Sequence, residues 1–225
     1  MLTPGALARR YGYSGLLGTL FALMFVGPLF AGSEWEALML GVLVICTAGS
    51  AIYATGGSPA KQVTLGILAL FYVVGHFMHA HSGGAVWAFS FNAGGASFFA
   101  LVAWVLLQRI LSATTHVTGE LIAGSIAVYL LLGIAFAYLF ALVELHIPGA
   151  FAFAGRADYA DPDFYYYSLV TLTTLGYGDI TPLEPMARGL AALEAVIGPV
   201  YLTVLVARLV GMHISGDSDT PGGQQ

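Results

Sequence analysis

The chain has 225 residues, of which 58% are hydrophobic and only 8% charged. Soluble domains carry about a quarter charged residues, so this alphabet cannot cover a water-exposed surface, and the chain belongs in a membrane. The 12 acidic against 7 basic residues, net charge −5, argue against a basic nucleic-acid-binding face, and a lone Cys46 excludes an intrachain disulfide framework.

Crossing ~30 Å of hydrocarbon takes about 20 apolar residues at about 1.5 Å each. Uncharged gaps of that length predict a first span within 11–33, between Arg10 and Glu34, and a second within 37–60, between Glu36 and Lys61. No Asp, Glu, Lys or Arg occurs from 62 to 108, which leaves room for spans three and four, divided at His79-Ala80-His81-Ser82-Gly83-Gly84. Residues 121–143 make the fifth span, and 189–207, between Arg188 and Arg208 with Glu194 inside, the sixth. The expected fold class is therefore an all-α membrane protein with six transmembrane helices. Arg9, Arg10, Lys61, Arg109 and Arg208 fall on one side of this arrangement, and only Arg156 and Arg188 on the other. Basic residues near span ends stay in the cytoplasm, which places both termini there. The competing reading of the first gap is a cleaved signal peptide ending near Leu29-Phe30-Ala31-Gly32; the run exceeds a usual signal core, which favours an uncleaved span.

Between spans five and six, Asp161-Pro162-Asp163 reads as a helix start, with an N-cap, a proline at the first helical position and an acid at the positive dipole end. From Pro162 to Thr173 there are 12 residues, about 18 Å of helix and too short to cross, so a re-entrant half-helix is expected. Its carbonyl end, partially negative, would favour a cation. Directly after it comes Thr174-Leu175-Gly176-Tyr177-Gly178-Asp179. Gly176 and Gly178 are able to adopt positive φ without a Cβ penalty.

This string resembles the selectivity filter of the potassium channel family, commonly Thr-Val/Ile-Gly-Tyr-Gly-Asp. The resemblance covers about residues 118–213 and implies that the carbonyls of Thr174, Leu175, Gly176 and Tyr177, with the Thr174 hydroxyl, replace the water shell of K+, while Gly178 completes the filter strand and Asp179 sits behind the outer mouth. Leu175 and Tyr177 would turn outward as bracing. One chain supplies one strand and cannot enclose an ion, so a homotetramer in the lipid bilayer is implied. Leu175 replaces the commoner Val or Ile, and Tyr166 and Tyr167 stand where many relatives have tryptophans around the filter. Gly198, 20 residues after Gly178, matches a hinge glycine of the family's inner helix, and Pro199 beside it would bend the axis. Stepping along one face gives Pro199, Leu202, Val206 and Val210, an apolar cavity wall able to gate by dewetting.

The chain thus divides into 1–117, a four-span module, 118–213, a pore domain, and 214–225, a short cytoplasmic tail. Four spans ahead of a pore resemble the layout of voltage-gated channels, but a voltage sensor needs several Arg or Lys at every third position. Residues 85–108 contain none, so weak or absent voltage dependence is expected. Ala93-Gly94-Gly95-Ala96-Ser97 reads as a close helix-packing surface. The short polar tails point to gating by the pore, the lipid, the first four spans or another chain.

Glu194 is an acid well inside a span, and burying it charged costs about 2.5–3.5 kcal/mol on insertion scales. It reads either as a proton-sensitive brace bonded to the half-helix or as a plain structural hydrogen bond. His76, His79 and His81 offer a metal- or pH-sensing cluster; interfacial histidines without a ligand role are the commoner reading, as no acid or cysteine accompanies them. Glu120 and Glu144, at span ends, are expected to be solvated. Asp158, Asp161 and Asp163 either concentrate cations at the mouth or cap the half-helix. The functional expectation is a non-enzymatic, potassium-selective channel. Its alternative is a weakly selective monovalent cation channel, followed by a membrane enzyme with metal on the three histidines and a noncatalytic scaffold.

Overall fold

The computed structural model describes residues 4–30, 35–56, 59–113, 117–154 and 161–218. Glu34, Arg156, Asp158 and residues 219–225 lie outside the described residues, as do the side chains of Arg9, Arg10, Asp161 and Pro162. Helix α1 (Pro4–Phe21) runs on through a π turn (Ala22–Val26) and a 3-10 turn (Gly27–Phe30). Then follow α2 (Glu36–Thr55), α3 (Pro59–Ser82), α4 (Ala85–Ser112), α5 (Gly119–His146), β1 (Phe151–Phe153), α6 (Asp161–Leu172), β2 (Ile180–Pro182) and α7 (Pro185–Ser218).

Among the described residues five helices, α2, α3, α4, α5 and α7, are long and apolar enough to cross a membrane. The expected division of 62–108 falls at Gly83 and Gly84, between α3 and α4. The first expected span corresponds to α1 and the turns after it, whose apolar stretch Gly12–Val26 is shorter than a straight crossing helix. At 12 residues, α6 is too short to cross.

Helix α5 is the axis of the subunit, packing on α1, α4, α6 and α7. One of its faces, with Val128, Leu131, Ile134 and Tyr138, joins a core shared with α1 to α4. The other, with Phe136, Phe140 and Ala141, packs on Phe151, Phe164 and Tyr167 beside the half-helix. Lipid tails are as apolar as these side chains, so close packing rather than escape from water holds such helices together. The small residues of α4 serve that end on two sides. A Cβ on Gly94 would meet the Phe71 ring at 3.0 Å and the Tyr72 backbone at 3.1 Å, and one on Gly95 would meet the Tyr138 ring at 2.7 Å. The Tyr72 and Tyr138 hydroxyls bond to each other in this core.

Two acids depart from the solvated role expected of span ends. Glu120 accepts the backbone N–H groups of Tyr13 (3.0 Å) and Ser14 (3.3 Å) and bonds the Ser14 hydroxyl, tying α1 to the start of α5. Glu144 is only 7% exposed and accepts N–H bonds from Gly149 (2.7 Å) and Phe151 (3.1 Å). The chain turns sharply after α5, its N–H groups there lose helical partners, and the carboxylate supplies them.

Gly95→Ala places a methyl group where the Tyr138 ring stands. Overpacking of this kind costs ~1–3 kcal/mol, so the detergent-solubilised variant is expected to melt several degrees lower; an unchanged melting temperature would show that α4 and α5 are not in close contact here.

Candidate functional site

The segment after α6 folds back onto the helix that leads into it. The Thr174 N–H donates to the Thr171 carbonyl at 2.9 Å, and the Leu175 and Gly176 N–H groups both donate to the Val170 carbonyl, at 2.9 and 3.3 Å. Beyond this point the backbone alternates. Positive φ recurs at every second residue, 59° at Thr174, 58° at Gly176 and 78° at Gly178. In a strand, successive peptide units point to opposite faces; left-handed residues at a period of two break that alternation. Glycine takes such angles freely, whereas at Thr174 a β-branched side chain makes them strained, at a cost of order 1–3 kcal/mol. Thr174 is the only non-glycine with positive φ among the described residues.

The far end of the segment is tied as well. The Ala154 N–H donates to the Asp179 carbonyl at 2.8 Å. Antiparallel pairing of β1 with β2 sets Phe151 opposite Pro182 and Phe153 opposite Ile180. The Tyr166 hydroxyl donates to the Asp179 carboxylate at 2.7 Å, and its ring lies parallel to that of Tyr177, centroids 6.4 Å apart. Tyr167 turns the other way: it is buried, edge-on to Phe140 at 4.9 Å and to Phe151 at 5.4 Å. Leu175 and Tyr177 are 56% and 67% exposed on the single chain.

Behind α6 stands α7, one unbroken helix with Pro199 inside it. At about 100° per residue it presents three faces. Ala187, Ala191, Glu194, Gly198 and Tyr201 are buried against the rest of the subunit. Pro199, Leu202, Val206 and Val210 form an exposed strip, and Leu193, Val196, Val200 and Val204 a second one beside it. Gly198 makes a close approach: a Cβ there would lie 2.0 Å from the Leu172 carbonyl oxygen. The Tyr129 hydroxyl of α5 donates to that same oxygen at 3.1 Å, so the last carbonyl of the half-helix is held sideways between α5 and α7. The Tyr129 ring stacks on Tyr201, whose hydroxyl donates to the Ser125 carbonyl at 2.7 Å.

Glu194 is fully buried, with Oε1 2.5 Å from the Ser168 hydroxyl of α6 and Oε2 without a hydrogen-bond partner. The Ser168 oxygen also lies 2.6 Å from the Gly133 carbonyl of α5. A hydroxyl has one proton and cannot donate to both acceptors at once. Three helices thus meet at Ser168, a residue whose sequence signal is no more than a small hydroxyl between the tyrosines and Leu169-Val170 of α6. The histidines do not converge. His76 packs its ring on Phe77 and Phe91, His79 stacks on Phe91, and His81 bonds the Phe77 carbonyl of its own helix. Among the described residues no group of three or more His, Cys, Asp or Glu is arranged to hold a metal ion.

Comparison with known proteins agrees with this geometry. A sequence family described as "Ion channel" matches residues 124–214, from within α5 to the last turns of α7. The Protein LctB of Bacillus caldotenax is 31% identical over 126 residues, which is 51% of this chain and 93% of that protein. A two pore potassium channel c from Oryza sativa subsp. japonica is 34% identical over 64 residues, 28% of this chain and only 14% of that protein. The potassium voltage-gated channel protein shk-1 of Caenorhabditis elegans is 39% identical over 49 residues, 22% of this chain and 9% of that protein. No solved structure matches at a comparable level. With an ion-channel match over residues 124–214, a relative matched over 93% of its own length, helices long and apolar enough to cross a membrane and a Thr-x-Gly-Tyr-Gly-Asp string, the chain belongs to the potassium channel family of ion channels.

Proposed function

We propose that four copies of the chain surround a central axis and conduct K+ passively and selectively across the cell membrane. The observation that carries this reading is the recurrence of positive φ at Thr174, Gly176 and Gly178. In the proposed ring the carbonyls of Thr174, Leu175, Gly176 and Tyr177 and the Thr174 hydroxyl stand in for hydration water, and Gly178 closes the outer end. Irregular backbone at membrane depth persists only where protein or a water-filled cavity covers it, and the exposure of Leu175 and Tyr177 on one chain leaves that cover to neighbouring copies. Tyr166 and Asp179 brace the outer end, and Tyr167 and Glu194 hold α6 from behind.

The two exposed strips of α7 divide the remaining work. Pro199, Leu202, Val206 and Val210 line the cavity, and Leu193, Val196, Val200 and Val204 meet the adjacent subunit. Residues 118–213 form the pore domain, with α6 re-entrant, 1–117 the four-span module, and 214–225 the tail. Six crossings follow if α1 and its turns span together. The bonds from Tyr13 and Ser14 to Glu120 set the early part of α1 beside the start of α5, on the side where α2 ends, as an antiparallel α1–α2 pair requires. Lys61, Arg109 and Arg208 share that side, which is the cytoplasmic one by the positive-inside rule, and both termini with it.

The alternative, a weakly selective monovalent cation channel, rests on Leu175 in place of Val or Ile. Bi-ionic reversal potentials in planar bilayers decide between them. A selective filter gives a reversal close to the K+ equilibrium value, a loose one a reversal near zero for K+ against Na+, and Gly178→Asp is expected to abolish the current. An inert wild type in vesicles under all conditions would refute conduction itself.

Glu194 acts here as a brace that responds to protons. Ser168 satisfies the Gly133 carbonyl only when the carboxyl supplies the proton between Ser168 and Glu194, and Tyr129 and Tyr167 are the other titratable groups facing it. Glu194→Gln is therefore expected to flatten the dependence of open probability on pH, and a pH response equal to the wild type's would restrict the residue to structure. At Gly198, overpacking against the Leu172 carbonyl costs ~1–3 kcal/mol, about 5- to 150-fold in the balance between seated and displaced helix. Gly198→Ala should accordingly reduce K+ flux per assembled channel, and full flux would show the contact to be dispensable.

A further inference from the structure

At the end of the bundle where α2 and α4 terminate and α7 passes by, two arginines cap neighbouring helices in series. Arg109, in the last turn of α4, donates from Nη1 to the carbonyls of Ala54 (3.0 Å) and Thr55, the final residues of α2. Arg208 of α7 reaches the end of α4 in the same way, with Nε donating to the Ile110 carbonyl at 3.2 Å and Nη2 to the Ala113 carbonyl at 2.7 Å. The carbonyl end of a helix carries the negative end of its dipole; the Arg208 guanidinium fork meets two carbonyls there at once, one of them, that of Ile110, shared with the Ala113 N–H, and Arg109 meets two from Nη1 alone.

Two features give the Arg208 contact a direction. Arg208 lies nine residues after Pro199, about 180° around the helix at about 100° per residue, so it leaves α7 opposite the Pro199, Leu202, Val206 and Val210 strip. It also falls between Val206 and Val210, which are 58% and 52% exposed on the single chain. This side-chain clamp is a direct tie from α7 to the end of α4.

Building on the channel reading above, we propose that Arg208 is a positioning residue that tethers the end of the pore-lining helix outward to the four-helix module and so keeps the cavity open. In the ring, the apolar Val206 and Val210 strips of four copies gain contact by collapsing together and expelling water from the cavity. The tether opposes that collapse, and Arg109 extends it to α2, so a shift of α2 or α4 is passed to α7.

Single-channel recording of the full-length protein in planar bilayers tests this. Loss of two charge-assisted hydrogen bonds is expected to lower the open probability of Arg208→Gln by about ten-fold, with unitary conductance and K+ reversal potential unchanged. Arg208→Lys keeps the charge but not the fork, so its open probability is expected to fall in the same direction; it carries the test alone if the glutamine variant does not assemble. Open probability that is unchanged or raised in both variants overturns the proposal. So does a glutamine variant altered only in unitary conductance while the lysine variant behaves as wild type, since that pattern is surface charge at the pore mouth. A wild type without K+ current would refute the channel reading instead, which separates the two failures.

Discussion

A backbone segment that turns its peptide groups away from any strand partner sets the terms for everything around it. Residues 174–178 have left-handed φ at every second position and cannot pair as a strand. Hydrocarbon offers no hydrogen bonds, so such a segment survives only inside protein or around hydrated ions. The neighbouring elements are arranged accordingly. The end of α6 takes up the first N–H groups, β1 receives the Asp179 end, and α7 stands behind with a small residue at the one place where its backbone must touch the last carbonyl of α6. The strain at Thr174 is tolerated because hydrogen bonds fix the residues on both sides of it.

Polar chemistry inside the subunit is sparse and concentrated where helices must keep a fixed spacing. Ser168 with Glu194 and Gly133 joins α5, α6 and α7 behind the segment, and Tyr129 with Leu172 joins α5 and α6. Arg109 and Arg208 do the same for α2, α4 and α7 at one end of the bundle. In a lipid setting, where apolar side chains gain little by preferring one another over acyl chains, a handful of hydrogen bonds and small-residue contacts decides how helices sit. The aromatic core around Tyr72, Phe99 and Tyr138 adds shape rather than register.

Much of this was legible in the sequence because the relevant signals are local. Long gaps without charge marked α2 to α5 and α7, the two glycines marked the break between α3 and α4, and Asp161-Pro162-Asp163 marked the start of α6. The positive φ at Gly176 and Gly178 was legible through the resemblance to a filter whose carbonyls face one axis, but the matching conformation at Thr174 was not, since threonine ordinarily avoids it. Features formed between distant positions carried no local signature. The β1–β2 pair is three residues a side, Ser168 and Tyr129 look like ordinary residues of apolar helices, and the solvated role expected of Glu120 and Glu144 failed because the orphan N–H groups they serve belong to chain turns that periodicity does not reveal. The π and 3-10 turns after α1 hid in the same way, for an apolar run reads alike whether or not its helix stays regular.

The short ribbon of β1 and β2 has a mechanical corollary. It fastens the exit of the strained segment to the loop that follows α5, while α6 fastens its entry against α5 itself, so both ends share a single rigid strut. Displacements of the far half of α7 then leave the spacing between those anchorage points untouched. In the proposed channel, the long seventh helix could therefore shift at one extremity while the filter keeps a constant gauge.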